Sequence, residues 1–169
     1  METSFVVSQL QANRSTFDSF LRDAPEAVQR WRPHPEHWCL LEIVCHLCDE
    51  ERDDFRARVR SVLEDPERPL PPIDPQGWVD ERRYLEQDFA AKLDAFLEER
   101  KASVRWLNGL ADPAWENSYQ HPKLGPLTAR MFLASWLAHD YLHIRQIAKV
   151  KFLFLQANAG VSVDYAGKW

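Results

Sequence analysis

A chain of 169 residues has room for one domain built on a single sizeable core, here taken as residues 1–169. Its 45% hydrophobic and 28% charged residues describe an ordinary soluble globular protein and exclude the disordered and fibrous classes. The net charge is −5, no lysine/arginine cluster is interleaved with aromatics, and no apolar run approaches the roughly 18 residues of a membrane span, so neither nucleic acid nor membrane is the expected partner.

The N-terminus lacks a basic segment followed by an apolar one, so no secretion signal is expected. Cys39, Cys45 and Cys48 lie within ten residues and cannot all pair within the chain. They read as free thiols in a reducing compartment, and the expected location is cytoplasmic.

In chain order, Val6, Leu10, Phe17, Phe20 and Leu21 recur at helical spacing, interrupted at Asn13, and predict an amphipathic helix over 4–23. A connector holding Pro25, Pro33 and Pro35 leads to a second helix beginning near Cys39. Its apolar face runs Leu40, Ile43, Val44, Leu47, Phe55, Val59 and Leu63. Five prolines between Pro66 and Pro75 forbid regular helix and make a semi-rigid loop. A third helix is predicted over 80–110 from Leu85, Phe89, Leu93, Phe96 or Leu97, Val104, Leu107 and Leu110, with Gly109 at its end. Residues 111–126 read as loop. Thr128 is the expected N-cap of a fourth helix running to about Phe152, and an irregular tail is expected from about 153. No segment alternates well enough to predict a sheet. Four long amphipathic helices, joined by one short and two long connections, make an all-α four-helix bundle.

Within the fourth helix, His139 and His143 stand four residues apart, so both imidazoles share a face with Cβ atoms roughly 6 Å apart. That spacing suits two bonds to one metal ion. Bundles hold metals in the core between facing helices, so a third ligand belongs at the edge of another core stripe. His46, three residues after Ile43 and one before Leu47, meets that requirement. His34, His37 and His121 fall in proline-containing loops and are weaker candidates. Three neutral nitrogens leave a coordination position open, as in catalytic rather than structural zinc sites. A divalent ion there would activate water and polarise a substrate oxygen or sulfur. Gln146 shares the face of the histidine pair, and Glu50 lies one turn beyond His46, so both are candidates to orient water or an imidazole. The remainder of the run Asp49 to Asp54 reads as a solvated charged face.

Trp38-Cys39-Leu40-Leu41-Glu42, His46-Leu47, Asp49 and Glu51 resemble the second-helix pattern W-S-x-x-E-x-x-x-H-L-x-D-x-E of the DinB-like (DinB/YfiT) superfamily. His139-Asp140, His143 and Gln146-Ile147 resemble its fourth-helix pattern H-D-x-x-H-x-x-Q-I. Asp112, Trp115 and Gly125 fall where that family has its loop, and the similarity runs from the first helix to about residue 152. The resemblance implies metal ligands at His46, His139 and His143, a divalent metal (nickel or zinc) and a homodimer. It also implies a small-molecule substrate, with relatives that are transferases or isomerases using a low-molecular-weight thiol. Cys39 departs from the family's Ser or Thr at the second helix N-cap. A weaker cap costing about 1 kcal/mol is expected there.

Other readings of the same residues carry less. Cys45-x-x-Cys48 sits mid-helix without the strand–helix–strand setting of a redox motif, so both thiols are expected to pack, with a thiolate ligand the alternative that their nearness to His46 leaves open. His139-Asp140-x-x-His143 departs from the zincin H-E-x-x-H by its aspartate, and Asp140 is expected to orient a helix neighbour or a ligand imidazole. Trp136 reads as a core residue and Tyr141 as one off the histidine face. The expected function is a metal-dependent enzyme activating water or a low-molecular-weight thiol toward a small electrophile. A metal-dependent hydrolase and a non-catalytic, stress-linked metal-binding or scaffold bundle are the alternatives.

Overall fold

A computed structural model describes residues 2–167 and residue 169. It contains α1 (Thr3–Leu21), α2 (Glu26–Gln29), α3 (Leu40–Asp49), α4 (Arg56–Glu64), α5 (Trp78–Glu81), α6 (Phe89–Asn108) and α7 (Ala129–Asn158), with β1 (Ser118–His121) and β2 (Gly125–Thr128) before α7. The π-helical segment Glu50–Phe55 joins α3 to α4 without a break, so the two form one rod. With α1, α6 and α7 this rod makes the expected four-helix bundle.

The helices stand in the cyclic order α1, α6, α3–α4, α7: α1 packs on α6 and α7, α3 packs on α6, and α4 on α7. Passing from α1 to α3, or from α6 to α7, therefore crosses a diagonal of the bundle. That geometry accounts for the long connections at 22–39 and 109–128; the third, at 65–88, is also long, where the sequence pointed to one short connection.

Local chemistry sets the element ends. Thr128 Oγ1 accepts from the Met131 N–H at 3.0 Å, the expected N-cap. At the start of α3 the Glu42 carboxylate accepts from the Cys39 N–H at 2.9 Å, and the Cys39 sulfur faces the Glu42 N–H. The capping box thus closes with a thiol, helped by Arg32, which holds Glu42 with two hydrogen bonds of 2.6 and 3.0 Å.

Four expectations are corrected. The third helix does not run unbroken from Asp80: Arg83 takes a left-handed conformation (φ 48°), a short 3-10 turn follows at Tyr84–Glu86, and Asp88 caps a new helix. Leu85, expected on the apolar stripe, is accordingly exposed. Residues 118–128 form a two-stranded hairpin, closed where Gly125 adopts φ 74°, a region open to glycine at little cost. The fourth helix continues to Asn158, so the irregular tail starts at 159 rather than 153. The charged run is not a solvated face: Asp49, Glu50, Glu51 and Asp54 are all buried.

The core is in two parts. One apolar cluster includes Phe17, Leu21, Leu40, Cys48, Leu93, Leu97, Ile147 and Val150. The other includes Leu10, Phe55, Val59, Val104, Leu133, Trp136 and Leu137. Between them in each helix lies a buried polar residue: Asn13 in α1, Glu51 in the π-helical segment, Arg100 in α6, Asp140 in α7. No helix is long and apolar enough to cross a membrane.

Candidate metal centre

The polar layer is a network around one guanidinium. Arg100 donates to both oxygens of Asp140 (2.6 and 2.7 Å), to Glu51 at 2.9 Å and to the Leu10 carbonyl at 3.1 Å. Asn13 donates to Asp140 at 3.0 Å, and the Trp136 indole donates to Glu51 at 2.8 Å. Burial alone would lower the Arg100 pKa, but the charges and hydrogen bonds of Glu51 and Asp140 overcome it and hold it above the usual value. Every bundle rod contributes, so the network fixes the rotation of each helix about its axis. Asp140 therefore faces the core and not the histidines. It has no role as the acid or base of a zincin, and Trp136 is the core residue expected.

One residue along α7, His139 turns toward the rod carrying His46. The Nε2 atoms of His46 and His139 stand 3.2 Å apart and those of His139 and His143 3.0 Å. Each of the three residues offers one ligand atom, all within 4.8 Å of one another. Nitrogens bound at about 2.0–2.1 Å to one tetrahedral or octahedral ion stand roughly 3–3.4 Å apart, so the two Nε2–Nε2 separations match those around a single metal. Its side walls are aromatic: the Trp38 ring centroid lies 4.8 Å from that of His46, and Phe55 lies 5.0 Å from His139.

Protonation supports the same fit. Burial, then the neighbouring His143, lowers the His46 pKa to about 3. Burial, then His143, His46 and Arg100, lowers that of His139 to about 2. His143 is also lowered by burial, against the opposing effect of Gln146. At neutral pH all three imidazoles are uncharged and carry a free lone pair, the form a metal requires. His143 Nδ1 lies 2.8 Å from Gln146 Oε1, an acceptor, which fixes the proton on Nδ1 and leaves Nε2 to the cluster.

The other sequence candidates are placed as follows. Glu50 makes no hydrogen bond to the imidazoles; burial and then Asp54 raise its pKa to about 8, and its Oε1 is without a hydrogen-bond partner. His34 and His37 are exposed on the α2–α3 connector, and His121 Nδ1 accepts from the Lys123 and Leu124 amides in the hairpin turn. Cys45 and Cys48 are buried free thiols whose pKa values burial pushes up to about 12 and about 11, so neither is poised as a redox thiolate or a ligand. Tyr141 is exposed and off the histidine face.

A cleft of about 660 Å³ opens onto the cluster at His143 and Gln146. Pro33 and Trp38 form one wall and Leu142, Val150 and Leu153 the other. Sequence reasoning missed this cleft because the connector, the last turns of α7 and Trp169 build it together. It also missed the Arg100 network, although Asn13 had shown as a break in an apolar stripe.

A four-helix bundle with a largely buried three-histidine cluster beside a cleft could hold a metal ion. The chain belongs to the DinB superfamily, whose profile matches residues 9–147. Its structure is similar to that of YfiT from Bacillus subtilis, described as "a probable metal-dependent hydrolase with an unusual four-helix bundle topology". The two share 17% identity at a TM-score of 0.78, over 95% of this chain and 89% of that one. Among curated proteins none matches this sequence.

Proposed function

We propose that this chain is a metal-dependent enzyme in which His46, His139 and His143 hold one divalent ion, nickel or zinc, with a coordination position open to the cleft. The observation that carries this reading is the meeting of three neutral imidazole Nε2 atoms, 3.0 and 3.2 Å apart along the cluster, beside a cleft that His143 lines. Imidazole donors suit both metals. Held there, such an ion supplies Lewis acidity toward water, a thiol or a substrate oxygen. The chain's own part is to keep the imidazoles neutral, to fix the His143 tautomer through Gln146, and to exclude water around the rings with Trp38 and Phe55.

The proposed reaction is attack by water or a low-molecular-weight thiol on a small electrophile, in the cytoplasm, by a homodimer. Three buried, unpaired cysteines suit a reducing compartment. The description given to YfiT favours the hydrolase branch of this reading.

Metal analysis of protein purified without a nickel column tests the first half. About one ion per chain is expected, lost in His143→Ala; less than roughly 0.2 per chain in the unaltered protein rejects the site. A panel of esters and electrophiles, run with and without thiol, then divides the branches. Turnover that requires thiol assigns a transferase, and turnover without it a hydrolase. Metal-dependent melting with no turnover leaves a non-catalytic metal-binding bundle.

A further inference from the structure

The cleft beside the histidines has a charge opposite to that of the chain. The protein carries 26 acidic against 21 basic side chains, yet among the described residues the cleft lining includes Arg145 and Lys149 and no aspartate or glutamate. Both cations are exposed on α7. Among the described residues neither takes part in an ion pair, although most other arginines of this chain do. By the helix rise, Arg145 stands about 3 Å and Lys149 about 9 Å beyond His143 along the α7 axis. The intervening lining is apolar, from Trp38 across to Leu142, Val150 and Leu153.

We infer that the cleft takes a small organic anion, whose apolar body lies between Trp38 and α7 and whose acidic group pairs with Arg145 and Lys149. The acidic group is a carboxylate or a phosphate ester, since an exposed arginine and lysine pair with either. A partly enclosed wall of one sign focuses the field on a ligand of the other sign. The volume lies within the range of small-molecule sites. The orientation, reactive end at the histidines and acid toward Lys149, rests on the proposed metal site; the charge preference does not.

Isothermal titration at low salt with 4-phenylbutyrate, its neutral isostere 4-phenylbutyramide and 3-phenylpropyl phosphate tests the inference. Each is run on the full chain after chelator treatment and again after zinc loading. The two anions are expected to bind roughly ten-fold more tightly than the amide in both forms. The stronger of the two anions identifies the acidic group. Arg145→Gln with Lys149→Gln should abolish the difference without altering the melting temperature, both side chains being exposed. Arg105→Gln with Lys123→Gln, an equal charge change away from the cleft, should leave it intact. Equal binding of acid and amide, no binding of either anion up to about 10 mM, or a preference that survives the Arg145/Lys149 change overturns the inference. A chain that binds no zinc but still prefers the anions rejects the metal site alone. One that binds zinc and ignores charge rejects the anion site alone.

Discussion

Gln146 shows how a single side chain prepares the cluster. Its Oε1, 2.8 Å from His143 Nδ1, accepts the ring proton and so directs Nε2 toward the other imidazoles. Gln146→Leu keeps much of the bulk but removes the acceptor. Zinc affinity, measured by competition with a chromophoric chelator, should fall about 10–100-fold while the melting temperature of the metal-free protein barely moves. Unchanged affinity would mean the tautomer is set elsewhere. At this scale the three histidines were legible because two share a helix face and the third borders an apolar stripe. Glu50 was not, because helical spacing places a residue on a face but cannot show which neighbours it meets. Here its charged neighbours are Asp54, Arg58 and Asp49, and it makes no hydrogen bond to an imidazole.

At the scale of elements, the rod α3–α4 depends on its π-helical turn. Leu47 and Phe55 are eight residues apart, whereas two α-turns take about 7.2, so a regular helix would rotate Phe55 and Val59 off the core. The extra residue absorbed between Glu50 and Phe55 restores the phase and turns Glu51 inward to Arg100. The uneven spacing was visible in the sequence, but six charged or acidic-flanked positions in a row looked like solvent-facing surface. The same applies to Asn13, Arg100 and Asp140: each interrupts an apolar stripe, and one interruption alone says nothing of a layer. Only the packing of four helices shows that the interruptions meet. Arg100→Met should cost about 3–5 kcal/mol in urea unfolding, because two buried carboxylates lose their counter-charge. Replacing Arg100, Glu51 and Asp140 together by apolar residues should recover much of that loss. A cost under about 1 kcal/mol for Arg100→Met would show that the network does not hold the bundle.

For the whole molecule, the buried titratable groups set opposing limits on stability. His46 and His139 have folded pKa values of about 3 and about 2, and His143 is lowered too, against about 6.5 in the unfolded chain. Below pH 6.5 the unfolded state therefore binds more protons, and the metal-free protein loses stability as pH falls. Each histidine that stays neutral contributes a slope of about 1.4 kcal/mol per pH unit. Glu50 acts with the other sign. Its folded pKa of about 8 exceeds the ordinary carboxylate value, so its contribution is complete below about pH 4.5 and is lost as pH rises through 8. Between 4.5 and 6.5 two or three histidines outweigh one glutamate. From 6.5 to about 8 Glu50 alone lowers stability, and above that the buried thiols of Cys45 and Cys48, held at about 12 and about 11, add to the loss. Urea unfolding of the chelator-treated chain from pH 5 to 8 should thus show a maximum near pH 6.5, with a steep acid limb and a shallow alkaline one. Glu50→Gln should flatten the alkaline limb and steepen the acid one, which it no longer opposes, and His143→Ala should make the acid limb less steep. A profile that rises steadily to pH 8, or an alkaline limb unchanged in Glu50→Gln, would show that Glu50 is ionised in the fold. The buried acidic turn would then need a counter-charge other than the proton assigned to it.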